Sequence, residues 1–200
     1  DQEAVPSRQF DISKIDFDLL SREFAHTRRK NLLLRDLDEL VNQQLAKMLF
    51  ANPQRIDYYD RYQEIIDAYN AEQNRATIEK TFMDLMELAS SLDTEQQRYV
   101  REGFSSDEEL SVYDLLFSEK LTKQEIETIK KVSVDLLTKI KQQIAKLDHW
   151  TDKQETKAIV DNLIRNTLWQ ELPNSYDVSD IQTYQKKIYE YVYMRYPEVA

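Results

Sequence analysis

The chain is 200 residues long, 41% hydrophobic and 32% charged, with a formal net charge of −10. Folding at that length removes roughly 70% of the unfolded chain's accessible surface, so a hydrophobic core forms without staples, and the apolar content is too high for a disordered chain. Gly103 is the only glycine, where average usage gives about 14, and cysteine is absent; this argues against sheets with tight turns and excludes glycine-built phosphate loops, disulfides, thiolate zinc sites and a cysteine nucleophile.

In chain order, residues 1–9 read as a polar lead-in, with a start that looks mid-protein rather than initiator methionine. The spacing of Phe17, Leu20 and Phe24 predicts a short helix from Asp16 to Ala25. A long one follows from Arg29 to Ala51, striped by Leu33, Leu37, Leu40, Val41, Leu45, Met48 and Leu49. Asn52-Pro53 ends it and starts the next, Asn as cap and Pro at the first helical position. That helix carries Ile56, Tyr59, Tyr62, Ile65, Ile66 and Tyr69. Beyond Asn74 comes a segment with Ile78, Phe82, Leu85, Met86 and Ala89, ending near Leu92. The two are read either as separate helices or as one bent helix.

Five Ser or Thr residues stand three before a Glu or Gln, the pattern of a capping box. The pairs are Thr94–Gln97, Ser106–Glu109, Thr122–Glu125, Thr151–Gln154 and Ser179–Gln182. Gly103 falls where the Thr94 helix should end in a left-handed residue. Lys123 to Leu147 buries Ile126, Ile129, Val132, Leu136, Leu137, Ile140 and Ile144. The helix after Thr151 buries Ile159, Val160, Leu163, Ile164 and Leu168. After Pro173-Asn174 the last helix has Tyr184, Ile188, Tyr191 and Val192 on one side and Tyr189, Tyr193 and Tyr196 on another, with Pro197 stopping it. The expectation is all-α: about eight helices packed as a bundle-like domain over residues 10–200, with Gly103–Ser106 as the point where two subdomains would divide.

Few residues invite chemistry. His26 and His149 are far apart and neither lies in HExxH. Asp148-His149-Trp150 reads as a helix end in which imidazole and indole N–H groups satisfy last-turn carbonyls. Asp57–Arg61, Glu127–Lys131 and Asp135–Lys139 are acid-before-base pairs four apart, each worth only a few tenths of a kcal/mol. Inward-pointing Glu-x-x-His pairs of a di-iron bundle are absent, and one glycine cannot supply GxxxxGK, GxGxxG or GxSxG. No catalytic, cofactor-binding or metal-binding residues are assigned. Lys139, Lys141 and Lys146 complement the C-terminal dipole of their helix.

Two groups remain as contact candidates. Arg28-Arg29-Lys30 sits at the start of a helix, where cations oppose the dipole, and suits a phosphate or an acidic partner. Tyr189, Tyr193 and Tyr196 give the last helix more aromatic surface than one buried stripe absorbs, and tyrosine is enriched at protein interfaces. The −10 charge argues against broad nucleic-acid affinity. No apolar run approaches the ~20 residues of a membrane span, and Asp1–Gln9 lacks a signal-peptide core, so a cytoplasmic location is expected.

Long ordered stretches carry a resemblance: FDISKIDFDLLSREF at 10–24, DLDELVNQQLAKMLFANPQRIDYYDRYQEIIDAYN at 36–70, and LDTEQQRYVREG at 92–103 with YDLLF at 113–117. IAKLDHWTDKQETKAIVDNLIRNTLW at 144–169, LPNSYDVSD at 172–180 and YEYVYMRYP at 189–197 continue it. The chain resembles the C-terminal helical domain of the R subunit (HsdR) of type I restriction-modification enzymes. The resemblance implies an ATP- and Mg-dependent DNA-translocating endonuclease as parent, with motor and PD-(D/E)xK nuclease domains whose motifs this chain lacks. It implies a non-catalytic module that docks the R subunit onto the methyltransferase core, with methyltransferase and specificity subunits as partners and DNA met through the parent complex. A DNA-guiding surface on the same motor subunit is the alternative.

Overall fold

The structure, a computed structural model, describes residues 12–197; the polar lead-in expected over 1–9 lies outside them. The described residues form nine α-helices and no strand, eight of the helices at least seven residues long, as the composition requires. They divide into two compact units, one holding the chain to Leu49 and Arg55–Arg98, the other Phe50–Gln54 and the chain from Tyr99 onward.

Unit 1 contains α1 (Phe17–His26), most of α2 (Lys30–Ala51), α3 (Ile56–Ala71) and α4 (Arg75–Gln96). Asp16 caps α1 by accepting the Leu19 amide at 2.9 Å, and Asn74 caps α4 by accepting that of Thr77 at 2.9 Å. The Asn74 cap resolves the segment after Ile56 into two helices rather than one bent helix. Phe24 stacks on Phe82, with ring centroids 3.7 Å apart. Around them pack Leu37, Val41, Leu45 and Met48 of α2, Tyr62 and Ile65 of α3, and Leu85, Leu88 and Leu92 of α4. In α2 it is Leu34, not Leu33, that is fully buried. Asn52 accepts the Gln54 amide at 3.1 Å and caps a short 3-10 turn, Pro53–Arg55, so α3 itself begins later, at Ile56.

The expected cap at Thr94 does not form. Helix α4 runs through it, and the Thr94 hydroxyl donates to the Ser90 carbonyl one turn back at 3.0 Å. Leu92 and Glu95 both lie on the buried stripe, so stopping before them would expose both, which outweighs a cap of about 1 kcal/mol. Glu95 is there for an ion pair. Arg55 Nε donates to its Oε1 at 3.0 Å, with 3% and 8% of the two side chains exposed, and Arg98 Nε donates to the same carboxylate at 2.9 Å. Arg61 pairs with Glu87 of α4 at 3.0 Å in place of the expected Asp57.

Unit 2 contains α5 (Arg98–Arg101, from Tyr99 on), α6 (Asp107–Leu116), α7 (Lys123–Ile144), α8 (Gln154–Glu171) and α9 (Val178–Arg195). Helices α6, α7, α8 and α9 each pack on the next, and α9 returns to α6, closing a four-helix arrangement. Leu110, Leu116, Ile129, Leu136, Ile140, Val160, Ile164, Leu168, Ile188 and Val192 fill its centre. The five-residue segment Phe50–Gln54 belongs here because the Ala51 carbonyl, at the end of α2, accepts from Ser111 Oγ at 2.9 Å and from the Tyr191 hydroxyl at 3.3 Å. Asn52 Nδ2 adds a bond to Asp114 at 2.6 Å, and Arg195 lies over the Phe50 ring at 4.7 Å.

The remaining caps sort by local geometry. Thr122 and Glu125 form the full box on α7. The Ser175 hydroxyl and Thr122 hold the Glu125 carboxyl below its usual range. Ser106 caps α6, while Glu109 reaches back to the Ser105 amide at 2.7 Å rather than to that of Ser106. Helix α9 starts earlier than Ser179 implies, because Asp177 and Asp180 make the box. Helix α8 follows Lys153 with no side-chain cap, so Thr151 is not one. Of the helical ion pairs, Asp135–Lys139 forms at 2.5 Å, while Glu127 meets Lys130 at 3.7 Å rather than Lys131.

Gly103 takes the expected left-handed conformation, φ +85°, but it closes the short α5 rather than a helix begun at Thr94. Its amide donates to the Val100 carbonyl at 3.1 Å, and the Phe104 amide donates to the Tyr99 carbonyl at 2.9 Å, the two bonds of a Schellman end. A Cβ at Gly103 meets nothing within 4 Å. Gly103→Ala is therefore expected to cost about 1–2 kcal/mol from backbone strain alone, without steric clash. A lowered urea midpoint with an unchanged slope is the expected signature.

Candidate functional site

The aromatic residues of α9 depend on a tryptophan outside the helix. Between α7 and α8 the chain is irregular, and His149 adopts φ +43°. That turn drives Trp150 inward to 1% exposure. Its indole Nε1 donates to the Tyr196 carbonyl at 2.7 Å, so the indole satisfies a carbonyl at the end of α9 rather than one of its own turn. Thr156 Oγ1 donates to the Trp150 carbonyl at 2.7 Å. Tyr189 and Tyr193 meet the indole edge-on, with centroids at 6.1 and 5.7 Å.

The three tyrosines expected on one face separate. Tyr196 leaves the helix at φ −126°, ψ 54° and is buried. Its ring stands edge-on to Tyr191 at 6.1 Å with Lys141 Nζ 5.2 Å above it, and burial drives its hydroxyl far above the ordinary phenol range. Glu108 of α6 binds Lys141 and lies 3.9 Å from Arg195. Tyr189 is half-buried on the α8 side, where Gln185 Nε2 donates to Asp161 at 2.9 Å. Tyr193 reaches the surface at 37% exposure and Met194 beside it at 70%.

Lys186, Glu190, Tyr193, Met194 and Lys187 share the outer face of α9, as a helical turn of 100° per residue places them opposite Ile188 and Val192. Lys157 of α8 holds its Nζ 5.8 Å over the Tyr193 ring, Lys187 stands 5.8 Å over Tyr184, and Lys186 lies 3.9 Å from Glu190. Neither Met194 nor Lys157 was marked out by sequence. Met194 sits on the polar side of the helical wheel, and that misplacement was its signal.

The basic cluster belongs to unit 1. The Arg29 carbonyl accepts the Leu32 and Leu33 amides, so the cluster straddles the first turn of α2. Lys30 serves the fold, with Nζ 3.2 Å from Glu79 of α4 and 4.5 Å from the centre of the Phe24 ring. Arg28 and Arg29 are exposed beside a shallow hollow lined by residues 27–32. A second open hollow, along α7 near Gly103, has Lys130 committed to the Glu102 carbonyl at 3.1 Å and carboxylate at 3.2 Å.

His149 is exposed, 3.5 Å from Asp148, and His26 ends α1 in the other unit. Among the described residues no three His, Asp or Glu side chains gather as a metal site requires, and no helix is long and apolar enough to cross a membrane. No curated protein and no solved structure matches the chain. Residues 3–196 do match the family described as type I restriction enzyme HindI endonuclease subunit-like, C-terminal. The match spans nearly the whole chain, so the chain belongs to the C-terminal domain family of type I restriction endonuclease subunits.

Proposed function

We propose that this domain is a non-catalytic assembly module of the restriction subunit, which docks that subunit onto the methyltransferase core formed by methyltransferase and specificity subunits. The ATP- and Mg-dependent motor and the nuclease lie elsewhere in the parent, which meets DNA in the cytoplasm. The observation that carries the reading is Tyr193, an aromatic ring held against a buried indole and presented at the surface of α9. A ring fixed in this way offers large contact area at little entropic cost, the property that makes tyrosine frequent among interface hot spots.

Guidance of duplex DNA by Arg28 and Arg29 is the second reading, favoured by their exposure beside the hollow. It competes with the net charge of −10 and with Asp57, Asp60, Glu64 and Asp67, all exposed on α3. Sedimentation of the purified chain mixed with the methyltransferase–specificity core tests the docking reading. A faster-moving complex containing both is expected. No association at tens of micromolar overturns it, and salt-sensitive duplex binding lost in an Arg28→Ala, Arg29→Ala variant would favour the DNA reading.

A further inference from the structure

We propose that the outer face of α9 receives an apolar pocket of a partner protein whose rim is acidic; the proposal rests on the docking reading above. Tyr193 and Met194 are consecutive exposed residues on a helix whose other side is core. The two are complementary as anchors. Tyr193 is rigid because Trp150 backs it, whereas Met194 is unbranched and adapts to an irregular pocket.

Charge identifies the rim. Lys157 stands at one edge of the face, Lys187 at the other and Lys186 between them. Near them Glu190 faces Lys186 at 3.9 Å, Asp161 accepts from Gln185, and Asp180, close enough to act on Tyr184, is held by Lys120. Lys157, Lys186 and Lys187 thus gather on one face of a chain of net −10, with only Glu190, among the described residues, at salt-bridge distance from one of them. A partner pocket ringed by Asp or Glu matches both the apolar pair and the lysines, and such complementarity sets partner choice and speeds encounter. A duplex fits less well, since its backbone offers phosphates and leaves Met194 uncovered, and three lysines beside a glutamate neutralise few phosphates.

The chain has four methionines, Met48 and Met86 buried, Met83 and Met194 exposed, so methyl-labelled methionine reports this face directly. The labelled chain is titrated with unlabelled methyltransferase–specificity core and followed by NMR and calorimetry. The Met194 signal should shift or broaden while that of Met83 stays. Tyr193→Ala with Met194→Ala should weaken binding about ten-fold or more. Lys157→Glu, Lys186→Glu and Lys187→Glu together should do so at low salt, with circular dichroism showing both variants folded. Binding that leaves Met194 unmoved overturns this proposal and leaves the docking reading standing, whereas no binding at all overturns both. Unchanged affinity after charge reversal overturns the acidic rim, and a Met194 shift produced by duplex DNA alone overturns the protein partner.

Discussion

Trp150→Ala is expected to be the most damaging single change in unit 2, lowering its stability by about 3–5 kcal/mol, the usual cost of truncating a large buried aromatic. Three losses combine. The indole is 1% exposed, so its removal leaves a cavity in a core otherwise closed by α6 to α9. The Tyr196 carbonyl loses a 2.7 Å donor at the end of α9. Tyr189 and Tyr193 lose the surface that both meet edge-on. For a chain this long each kcal/mol moves the melting temperature by about 2–4 °C, so a fall near 10 °C in a thermal melt is expected. Trp169, 48% exposed, is the internal comparison, and Trp169→Ala should shift the melt by no more than a degree or two. Trp150→Phe should fall between, because it keeps a ring but removes the donor.

Unit 1 has its own sensitive point. Glu95→Ala should cost about 3–5 kcal/mol, because it strips the carboxylate from a guanidinium whose side chain is only 3% exposed. Most of that cost is the charge left on Arg55 rather than the attraction lost. The sign of the double variant follows: Arg55→Met with Glu95→Leu should recover most of the stability, since neither charge is then buried. Arg98 shares the same carboxylate but is 27% exposed, so its charge is not buried as that of Arg55 is. Arg98→Ala should therefore cost less than about 1 kcal/mol. Urea unfolding of the three variants measures these differences, and a double variant no more stable than Glu95→Ala would contradict a dominant cost of the buried charge.

Both sites show where reading a sequence stops. Periodicity reaches one helical turn in either direction, and it placed most of the stripes of α2 and α7 because burial there repeats every three or four residues; in α8 it found Val160, Ile164 and Leu168, but Ile159, expected inside, is 42% exposed. Gly103 was equally legible, since a lone glycine at the foot of a helix has one common use. Arg55 and Glu95 are 40 residues apart and Trp150 and Tyr196 are 46 apart, so no local pattern joins them. Capping boxes failed where a neighbour competed better. Burial of Leu92 and Glu95 overrode Thr94, and Asp177 with Asp180 supplied the same spacing ahead of Ser179. Tyr196 shares the spacing of Tyr189 and Tyr193, but the chain turns at that residue and carries it inside. The aromatic face was legible in Tyr193, while Met194 beside it had only one signal, an apolar residue on the polar side of the wheel, and a search for stripes passes over it.

Competition in trans tests most directly the proposal that this domain contributes attachment and no chemistry. The isolated chain is titrated into the reconstituted enzyme of restriction, methyltransferase and specificity subunits, and DNA cleavage is followed. If the domain docks as proposed, the isolated chain competes for the restriction subunit's seat on the core, so cleavage should fall as the chain is added and recover when more restriction subunit is supplied. Cleavage unchanged at a chain concentration far above that of the restriction subunit would contradict the account.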